Sequence, residues 1–372
     1  MAIANSTLPD LRLATLDDYD RIVALEAANG MASMRRDDWQ ALWLNNPLWP
    51  YLGEDWPVGW VMETDDGRVV GSIVNVPTTY QFRGEELLCA NGRGWVVDAD
   101  YRPFALMVMG EYFGQTDVDL FVNTTVGPNA APMIASLSHP IPQGDFETFA
   151  YFTTDHQSLA AKGLRRKGVP LANLFAYPAG LLLRMRDAWR FREMPAAPRS
   201  TTIESIAAFD DRFDTFWQEL VRQKPNTLLG TRDRATLAWH FAAPLRRGDL
   251  WIITAVRDGL LRGYCILKRQ DPEQQFKRMR VVDFQSFDGD ADLLGALLKE
   301  ALRRADDEQV QIIEHMGCGV PKMAAFDRFA PYRRTQACWP FYYRAVNDAL
   351  AAELTNPVVW EASVYDGDSS FE

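Results

Sequence analysis

The sequence predicts an α/β protein with two similar domains, each a mixed, mostly antiparallel sheet flanked by helices. Length is one reason, because 372 residues correspond to about two domains at ~150 residues each. The order of elements is another, since a strand, two helices, a three-stranded meander and then alternating helices and strands occur twice. A turn motif and a valine pair also recur in the same order in both halves.

Apolar spacing and turn residues place the elements of the first half. Alternation predicts strands, apolar residues three and four apart predict helices, and Asn-Pro, Asp-Gly and Arg-Gly pairs predict the breaks between them. The expected order is a strand at Leu11–Thr15, helices after Asp17 and at Arg36–Leu44, strands at Gly59–Thr64, Val69–Phe82 and Leu87–Asp98, a helix at Phe104–Gln115, a strand at Asp119–Thr125, a helix at Asn129–Leu137 and a strand at Phe146–Thr153.

A segment of different character follows. It holds a basic run at Lys162–Lys167, a strand candidate at Leu181–Met185 and a proline-rich linker at Met194–Arg199. The expected boundaries are therefore 1–155 for the first domain, 156–200 for the connecting segment and 201–372 for the second domain with its tail. The elements expected there are strands at Thr201–Ile206, Leu250–Val256, Leu260–Lys268, Arg280–Phe284, Gln309–His315, near Arg334–Trp339 and at Tyr342–Val346, and helices at Phe209–Arg222, Arg232–Phe241, Ala291–Ala305 and Lys322–Phe329.

The internal repeat rests on two landmarks. Asp66-Gly67-x-x-x-Gly71 matches Asp258-Gly259-x-x-x-Gly263, and the run from Arg93 to Asp98 matches the run from Arg278 to Asp283. A helix and a strand follow each pair of landmarks. The common order favours a duplication of one domain.

Composition excludes several classes of function. The net charge of −11 argues against nucleic acid or an anionic membrane as the main partner. No segment approaches the ~20 uncharged apolar residues of a membrane helix, and Met1–Asp10 lacks the regions of a signal peptide, so a cytoplasmic protein is expected. Four histidines without a close pair predict no metal site. Reduced thiols are expected at the four scattered cysteines, Cys89, Cys265, Cys318 and Cys338.

The order of elements resembles the GNAT acyltransferase fold, over about residues 10–153 and more weakly over 201–347. The chain is similar to tandem GNAT proteins of the bacterial type associated with polysaccharide biosynthesis. That resemblance implies acetyl-CoA or another acyl-CoA as co-substrate, no metal, and direct acyl transfer to an amine. It further implies a small-molecule or glycan acceptor, with an amino sugar as one candidate, no nucleic acid, no membrane insertion, and compatibility with a homo-oligomer.

The resemblance places the cofactor after the fourth strand. In GNAT enzymes the backbone N–H groups of the next loop and helix start hold the diphosphate of acyl-CoA. Arg102 fits the first position of that loop, but Ala105 and Met107 replace small family residues, and Asp98 and Asp100 bring negative charge. An ordinary strand–loop–helix crossover is the alternative. The residues expected at the cofactor are Val96, Val97, Arg102, Pro103, Phe104, Ala105, Leu106 and Asn129.

The equivalent turn of the second half differs. The segment from Val281 to Asp290 has no matching arginine and carries three aspartates, which would repel a phosphate. The second domain is therefore expected to be GNAT-like in fold and unable to hold CoA.

Four residues are candidates for the catalytic steps. Ser136 falls where the family has a tyrosine that protonates the departing thiolate, and His139 lies near it with a suitable ordinary pKa of ~6.5. Asp98 is a candidate general base, with a surface charge as the alternative. Asn123, Thr124 and Thr125 lie at the carboxyl end of the fifth strand, and one of them could orient the thioester carbonyl or the acceptor. A bulge at Asn91–Gly94 would offer a backbone N–H to the oxyanion.

Two other functions remain open on this sequence. One is a catalytically inactive GNAT-like scaffold or binding protein of a polysaccharide-assembly system, which the missing glycines and tyrosine favour. The other is a Fem-type aminoacyl transferase, which the acidic charge opposes because such an enzyme binds tRNA.

Three segments are unusual. Six of the twelve tryptophans lie between Trp39 and Trp95, which indicates core packing, with a sugar-binding surface as the alternative. Leu159–Lys167 is predicted to be a solvated helix face, with docking of an acidic partner as the alternative. In the tail from Trp360 to Asp368 the aromatic residues are expected to anchor the chain while the acids stay in water.

Overall fold

The computed structural model describes residues 8–127, 129–271, 276–287, 290–336 and 340–371. The end of the strand expected near Trp339, the thiol of Cys338 and Asp288 of the second-half turn lie outside these residues. Cys89, Cys265 and Cys318 are free thiols, as expected.

The first sheet has eight strands in the order β1-β2-β3-β4-β5-β15-β6, with β9 paired to β3. The β4–β5 pair is parallel and the other described pairs are antiparallel. The strands are β1 Asp10–Leu13, β2 Gly59–Glu63, β3 Val69–Phe82, β4 Glu85–Val97, β5 Leu120–Asn123, β6 His139–Pro140, β9 Leu229–Gly230 and β15 Tyr342–Ala345.

The second sheet has seven strands in the order β14-β7-β13-β12-β11-β10-β8. Here β12 and β13 form the parallel pair. The strands are β7 Asp145–Thr153, β8 Thr201–Ile206, β10 Leu250–Arg257, β11 Leu260–Arg269, β12 Arg278–Ser286, β13 Ile312–Cys318 and β14 Tyr332–Thr335. The predicted fold class, two mixed and mostly antiparallel sheets with flanking helices, is confirmed.

Helices cover both sheets. One continuous core between the sheets contains Leu120 and Val122 of the first sheet together with Ile252 and Tyr264 of the second. The helices are α1 Tyr19–Ala28, α2 Arg36–Leu44, α3 Trp49–Leu52, α4 Ala105–Phe113, α5 Ala131–Leu137, α6 His156–Arg166, α7 Ala172–Glu193, α8 Arg212–Gln223, α9 Arg234–His240, α10 Ala242–Arg247, α11 Ala291–Asp307, α12 Ala324–Phe329 and α13 Asp348–Leu354.

The strand predicted at Leu181–Met185 is wrong, because these residues lie inside α7. Short apolar runs fit a strand or a helix equally well, and length decides between them. The run belongs to a helix of 22 residues, in which Ala172, Ala176 and Gly180 form a buried face with a spacing of four.

Each half gives its last strand to the other half. β7 follows the first-half elements but pairs with β13, with Phe149 opposite Met316. β15 comes from the second half but pairs with β5, with Tyr343 opposite Val122. The predicted boundaries near 155 and 200 stay a prediction, while the sheets themselves are built from both halves of the chain.

The first landmark of the repeat occupies equivalent places in the two sheets, and the second does not. Gly71 pairs with Val97 at the end of β4, and Gly263 pairs with Ser286 at the end of β12. Asp98 therefore follows its strand, whereas Asp283 lies inside β12 and is buried. A valine pair before an aspartate is too common a pattern to fix the register of two strands.

Asp283 is the centre of a buried ionic cluster. Arg232 Nε lies 2.8 Å from one of its oxygens, and Lys322 Nζ lies 3.6 Å from the other. The hydroxyl of Tyr264 donates to the same carboxylate at 2.9 Å. Burial alone would raise the pKa of Asp283, but the attraction of Arg232 and Lys322 outweighs it and holds the pKa at about 2.

The C-terminal strap, which we define as residues 360–371, runs from this cluster to the first sheet. The Tyr365 N–H donates to the carbonyl of Val282 at 3.0 Å, where the register between β11 and β12 shifts. Farther along, Asp368 accepts from the hydroxyl of Thr124 just beyond β5, at 3.0 Å. Asp366 and Asp368 are only 7% and 1% exposed, so the expectation that the tail acids stay in water is wrong.

We predict that Asp283→Asn lowers the free energy of unfolding by about 3–5 kcal/mol, because it removes the charge that balances buried Arg232 and Lys322. Urea unfolding followed by circular dichroism measures the change. Asp307→Asn is the control, since Asp307 forms an exposed pair with Arg303 that the solvent screens, and its removal should leave the stability nearly unchanged.

A comparison of the wild type with Asp283→Asn also tests the low pKa of Asp283. The pKa of Asp283 is 3.8 in the unfolded chain and about 2 in the folded protein. The carboxylate therefore stabilises the folded state above pH 3.8, and this contribution is lost as the pH falls towards about 2. The stability difference between the wild type and Asp283→Asn should therefore narrow below pH 4. A difference that stays constant down to pH 2.5 would contradict the ionic account.

Candidate functional site

The candidate site lies where β4 and β5 diverge. The two strands pair in parallel only over Cys89–Asn91 and Leu120–Val122. β4 then continues to Val97 along β3, whereas β5 ends at Asn123. In open α/β sheets ligands bind at the carboxyl ends of the strands, beside such an opening.

A bulge interrupts β4 at this opening. Ser72 of β3 pairs with Val96 and Val74 pairs with Arg93, so two residues, Gly94 and Trp95, face the single residue between them. Gly94 has a φ of +66°, a conformation that glycine adopts without strain. The predicted bulge at Asn91–Gly94 is thus found at its C-terminal end, and it leaves one residue outside the ladder.

On one face of the bulge, Asn123 is buried and only partly satisfied. Its Oδ1 lies 3.3 Å from the Tyr112 hydroxyl, while its Nδ2 has no hydrogen-bond partner among the described residues. A Cβ on Gly92 would lie 2.6 Å from Asn123 Oδ1, so only glycine allows this approach. An unpaired buried donor costs about 1–3 kcal/mol, which favours a ligand or a water molecule there.

Tyr112 fixes this arrangement from α4. Its hydroxyl donates to the carbonyl of Ala90 at 3.0 Å as well as reaching Asn123. Burial raises the pKa of Tyr112 well above its ordinary value of 10, so the hydroxyl stays protonated at neutral pH.

On the other face of the bulge lies Glu26, which the sequence analysis missed. Its side chain is 1% exposed, and its Oε1 lies 3.9 Å from Nη1 of buried Arg93. A Cβ on Gly94 would be 2.6 Å from the same oxygen, so the carboxylate lies directly against the bulge. Glu26 is four residues from buried Ile22 on α1. An acid on the apolar face of a helix was the available signal.

Most of the residues expected at the cofactor follow one another from the end of β4 to the start of α4. Val96 and Val97 are buried in β4 beyond the bulge. A 3₁₀ turn, Ala99–Phe104, then precedes α4, and the Ala105 N–H donates to the carbonyl of Arg102. Pro103 lies inside this turn and not in the first turn of the α-helix. Arg102, Pro103 and Leu106 are exposed, Phe104 is half-buried and Ala105 is buried.

Asp98 connects three elements. One oxygen accepts from Arg68 at 2.7 Å and the other from Asn29 at 3.1 Å, so the carboxylate joins the end of β4 to β3 and to the end of α1. Both oxygens are engaged in holding the end of β4.

The remaining candidates lie on the surface. Ser136 donates to the carbonyl of Met133 within α5. His139 is exposed in β6, with its ring 5.8 Å from that of Tyr343. Asn129, one of the residues expected at the cofactor, is exposed and lies just before Ala130, the residue that caps α5. The described hydrogen bonds join none of these residues to Asn123 or to the bulge.

The strap brings a further carboxylate to the end of β5. Asp368 accepts from Thr124 N at 3.3 Å and from the hydroxyl of Thr125. Gly367 has a φ of +72°, and a Cβ there would lie 2.5 Å from Thr124 Oγ1. The described residues hold no cluster of three or more metal-ligating side chains.

The tryptophans of the first half are mainly core residues. Trp39 and Trp43 are fully buried with ring centroids 4.7 Å apart, and the indoles of Trp43 and Trp56 both donate to the carbonyl of Asn75. Trp49, in α3, is only half-buried.

Solved structures share the architecture. A GCN5-related N-acetyltransferase from Kribbella flavida superimposes with a TM-score of 0.56 at 14% identity, covering 94% of this chain and 74% of that one. A yeast N-myristoyltransferase with bound myristoyl-CoA and inhibitors gives 0.54 at 12% identity, covering 91% and 81%. A GCN5-related N-acetyltransferase from Anabaena variabilis gives 0.51 at 11%, covering 91% and 73%.

The chain has the GNAT acyltransferase fold. The matches extend over most of its length, but at 11–14% identity they establish the fold alone. No family model and no curated protein matches the sequence. Among the described residues, the longest apolar helices fall short of what is needed to cross a membrane.

We predict that Gly92→Ala lowers the free energy of unfolding by about 1–3 kcal/mol, because the new methyl group would overlap Asn123 and Tyr112. Chemical denaturation measures this. Gly110→Ala is the matched control, since a Cβ there meets nothing within 4 Å in α4 and should stabilise the protein by roughly 0.5–1 kcal/mol. Equal effects of the two substitutions would show that the space around Gly92 is not constrained.

Proposed function

We propose that the protein is an acyl-CoA-dependent N-acyltransferase with one active site, at the divergence of β4 and β5. The observation that carries the proposal is the bulge at Gly94, with the unpartnered Asn123 amide on one face and the Glu26 carboxylate on the other. The shared fold supports it, since relatives by structure include an N-myristoyltransferase with bound myristoyl-CoA. Acetyl is the acyl group we favour.

The bulge and Asn123 would act on the thioester. A bulge directs backbone N–H groups out of the ladder, and such donors stabilise the oxyanion that forms on the carbonyl oxygen. The Asn123 Nδ2 would orient the acyl-CoA from its buried position beside the opening. Arg102, exposed between the end of β4 and the start of α4, would attract the diphosphate.

Glu26 would act on the acceptor. An amine is protonated at neutral pH and must lose a proton before it attacks. In the step we propose, Glu26 first takes a proton from the ammonium form of the acceptor. The amine nitrogen then forms a bond to the acyl carbon as the carbon–sulfur bond breaks. The second proton of the nitrogen passes to the departing thiolate, so that CoA leaves as the free thiol. We favour Glu26 over Asp98 because the Glu26 carboxylate lies directly against the bulge, whereas Asp98 lies beyond the end of β4.

The second sheet would not bind a second acyl-CoA. The Val282 carbonyl at its bulge accepts from the strap, at Tyr365. Asp290 caps α11 by accepting from the N–H groups of Asp292 and Leu293, so a carboxylate takes the place that a phosphate would need. We infer that the second domain supports the first and is catalytically silent.

The acceptor we propose is an amino sugar or its nucleotide conjugate, in polysaccharide biosynthesis and in the cytoplasm. Since Trp39, Trp43 and Trp56 are buried in the core, stacking on a sugar would fall to the half-buried Trp49 or Trp95.

We predict that acetyl-CoA or a longer acyl-CoA raises the melting temperature, because a ligand at 100 times its dissociation constant adds ~2.7 kcal/mol of stability. Differential scanning fluorimetry with CoA, acetyl-CoA and myristoyl-CoA measures the shift. Arg102→Glu should abolish it, whereas Arg257→Glu, the same charge change at an exposed site on the second sheet, should leave it intact. No shift with any of the three compounds overturns the proposal and favours the scaffold.

We predict that Glu26→Gln lowers kcat by about 10²-fold or more and leaves acyl-CoA binding unchanged, because it removes the base but not the cofactor contacts. Release of free CoA thiol in the presence of amino sugars measures the rate. Glu26→Asp should recover part of the activity and shift the pH profile. If Glu26→Gln instead retains the wild-type rate, the base lies elsewhere.

A further inference from the structure

Helices α6 and α7 form a hairpin beside the second sheet. Small residues of α7 allow the close approach, since a Cβ on Gly180 would lie 2.8 Å from Gln157 Cα. His156 of α6 lies 3.1 Å from Asp187 of α7. The buried face of α7 is therefore its narrow face of small residues, and the large side chains lie on the other side.

The opposite face of α7 is apolar and exposed. Nine of the 18 exposed large apolar side chains of the described residues lie between positions 171 and 191. At 3.6 residues per turn, those of α7 from Leu174 to Trp189 fall on one continuous stripe, about 160° wide. A helix of 22 residues is roughly 33 Å long. The stripe consists of Leu174, Phe175, Tyr177, Leu181, Leu182, Met185 and Trp189, each 49–73% exposed.

The charge of the hairpin is opposite to that of the chain. Residues 156–193 carry eight Lys and Arg and two Asp and Glu, a net charge of +6, whereas the whole chain carries −11. Arg184 and Arg186 lie on either side of the apolar stripe by their helical positions. The total charge of −11, which disfavours an anionic membrane as a partner, conceals this separation.

We propose that the apolar stripe of α7, with its flanking arginines, docks the protein on an anionic lipid surface. A helix with aromatic and aliphatic residues on one face and arginines beside them lies in the plane of the interface, with its apolar face ~5–10 Å deep. Basic residues near the surface add attraction to anionic headgroups. Arginines in the middle of α7 fit a helix lying on the surface and not one crossing it.

Charge decides between this surface and a second copy of the chain. Two hairpins packed against each other would bring together two segments with a net charge of +6 each, and like charges oppose such an interface. An anionic bilayer offers the opposite charge and an apolar layer at once. The proposal does not depend on the acyltransferase activity, because the stripe and the β4–β5 opening share no residues.

Co-sedimentation with vesicles tests the proposal without any acyl-CoA. We expect the full chain to bind phosphatidylcholine vesicles containing 30 mol% phosphatidylglycerol, at least about tenfold more strongly than pure phosphatidylcholine, with binding weakened by salt. Leu182→Asp combined with Trp189→Asp should reduce binding by about tenfold or more. Both side chains are exposed, 68% and 66%, so the fold should survive, which circular dichroism checks.

Leu260→Asp combined with Val358→Asp is the matched control, because these exposed apolar residues lie outside the hairpin and should leave binding unchanged. Arg184→Glu combined with Arg186→Glu should lower the preference for the anionic vesicles. No binding, or equal binding to both vesicles, overturns the proposal. If the protein fails to bind vesicles and instead forms a dimer that the Leu182 and Trp189 substitutions abolish, this result overturns the proposal in favour of a second copy of the chain. Binding to an acidic protein without any binding to vesicles also overturns the proposal.

Discussion

The separation of two parallel strands is the constraint on which the rest of this structure depends. β4 and β5 stay paired for three residues and then part, so the polar groups beyond that point lose their ladder partners. Three features offset this cost: the bulge in β4, the hydrogen bond between Tyr112 and Asn123, and the hydrogen bond from Thr124 to the strap. Asn123 Nδ2, a buried donor without a hydrogen-bond partner among the described residues, is therefore an informative atom of the site.

In the second sheet, other groups fill the place where the two parallel strands part. β12 and β13 also part after a short parallel pairing, but the strap and the cluster around Asp283 fill the place. Burying such charges is unfavourable unless each has its partners, and Arg232, Lys322 and Tyr264 supply them. The parallel pair of the first sheet thus ends in an opening, whereas the parallel pair of the second sheet ends at a buried ionic cluster.

Much of the fold and part of the candidate site could be predicted from local sequence patterns. The rest depends on contacts between residues that are distant in the sequence. Alternation and turn residues placed β3, β4, β10 and β11 within a few residues, because these strands follow one another through short turns. The exchange of β7 and β15 could not be foreseen, since a strand does not encode which sheet edge it will join. Glu26 was detectable as an acid on an apolar helix face, whereas the burial of Asp368 depends on Thr124, 244 residues away.

The exchanged strands also govern how the molecule can be made in the cell. The first sheet needs β15, whose residues 342–345 are made more than 200 residues after β5, and β7 must wait for β13 before it has a neighbour on that side. Neither sheet can be completed before the other half of the chain has been made, and long-range pairing of this kind is intrinsically slow. Until then, unpaired edges of both sheets stay exposed to aggregation.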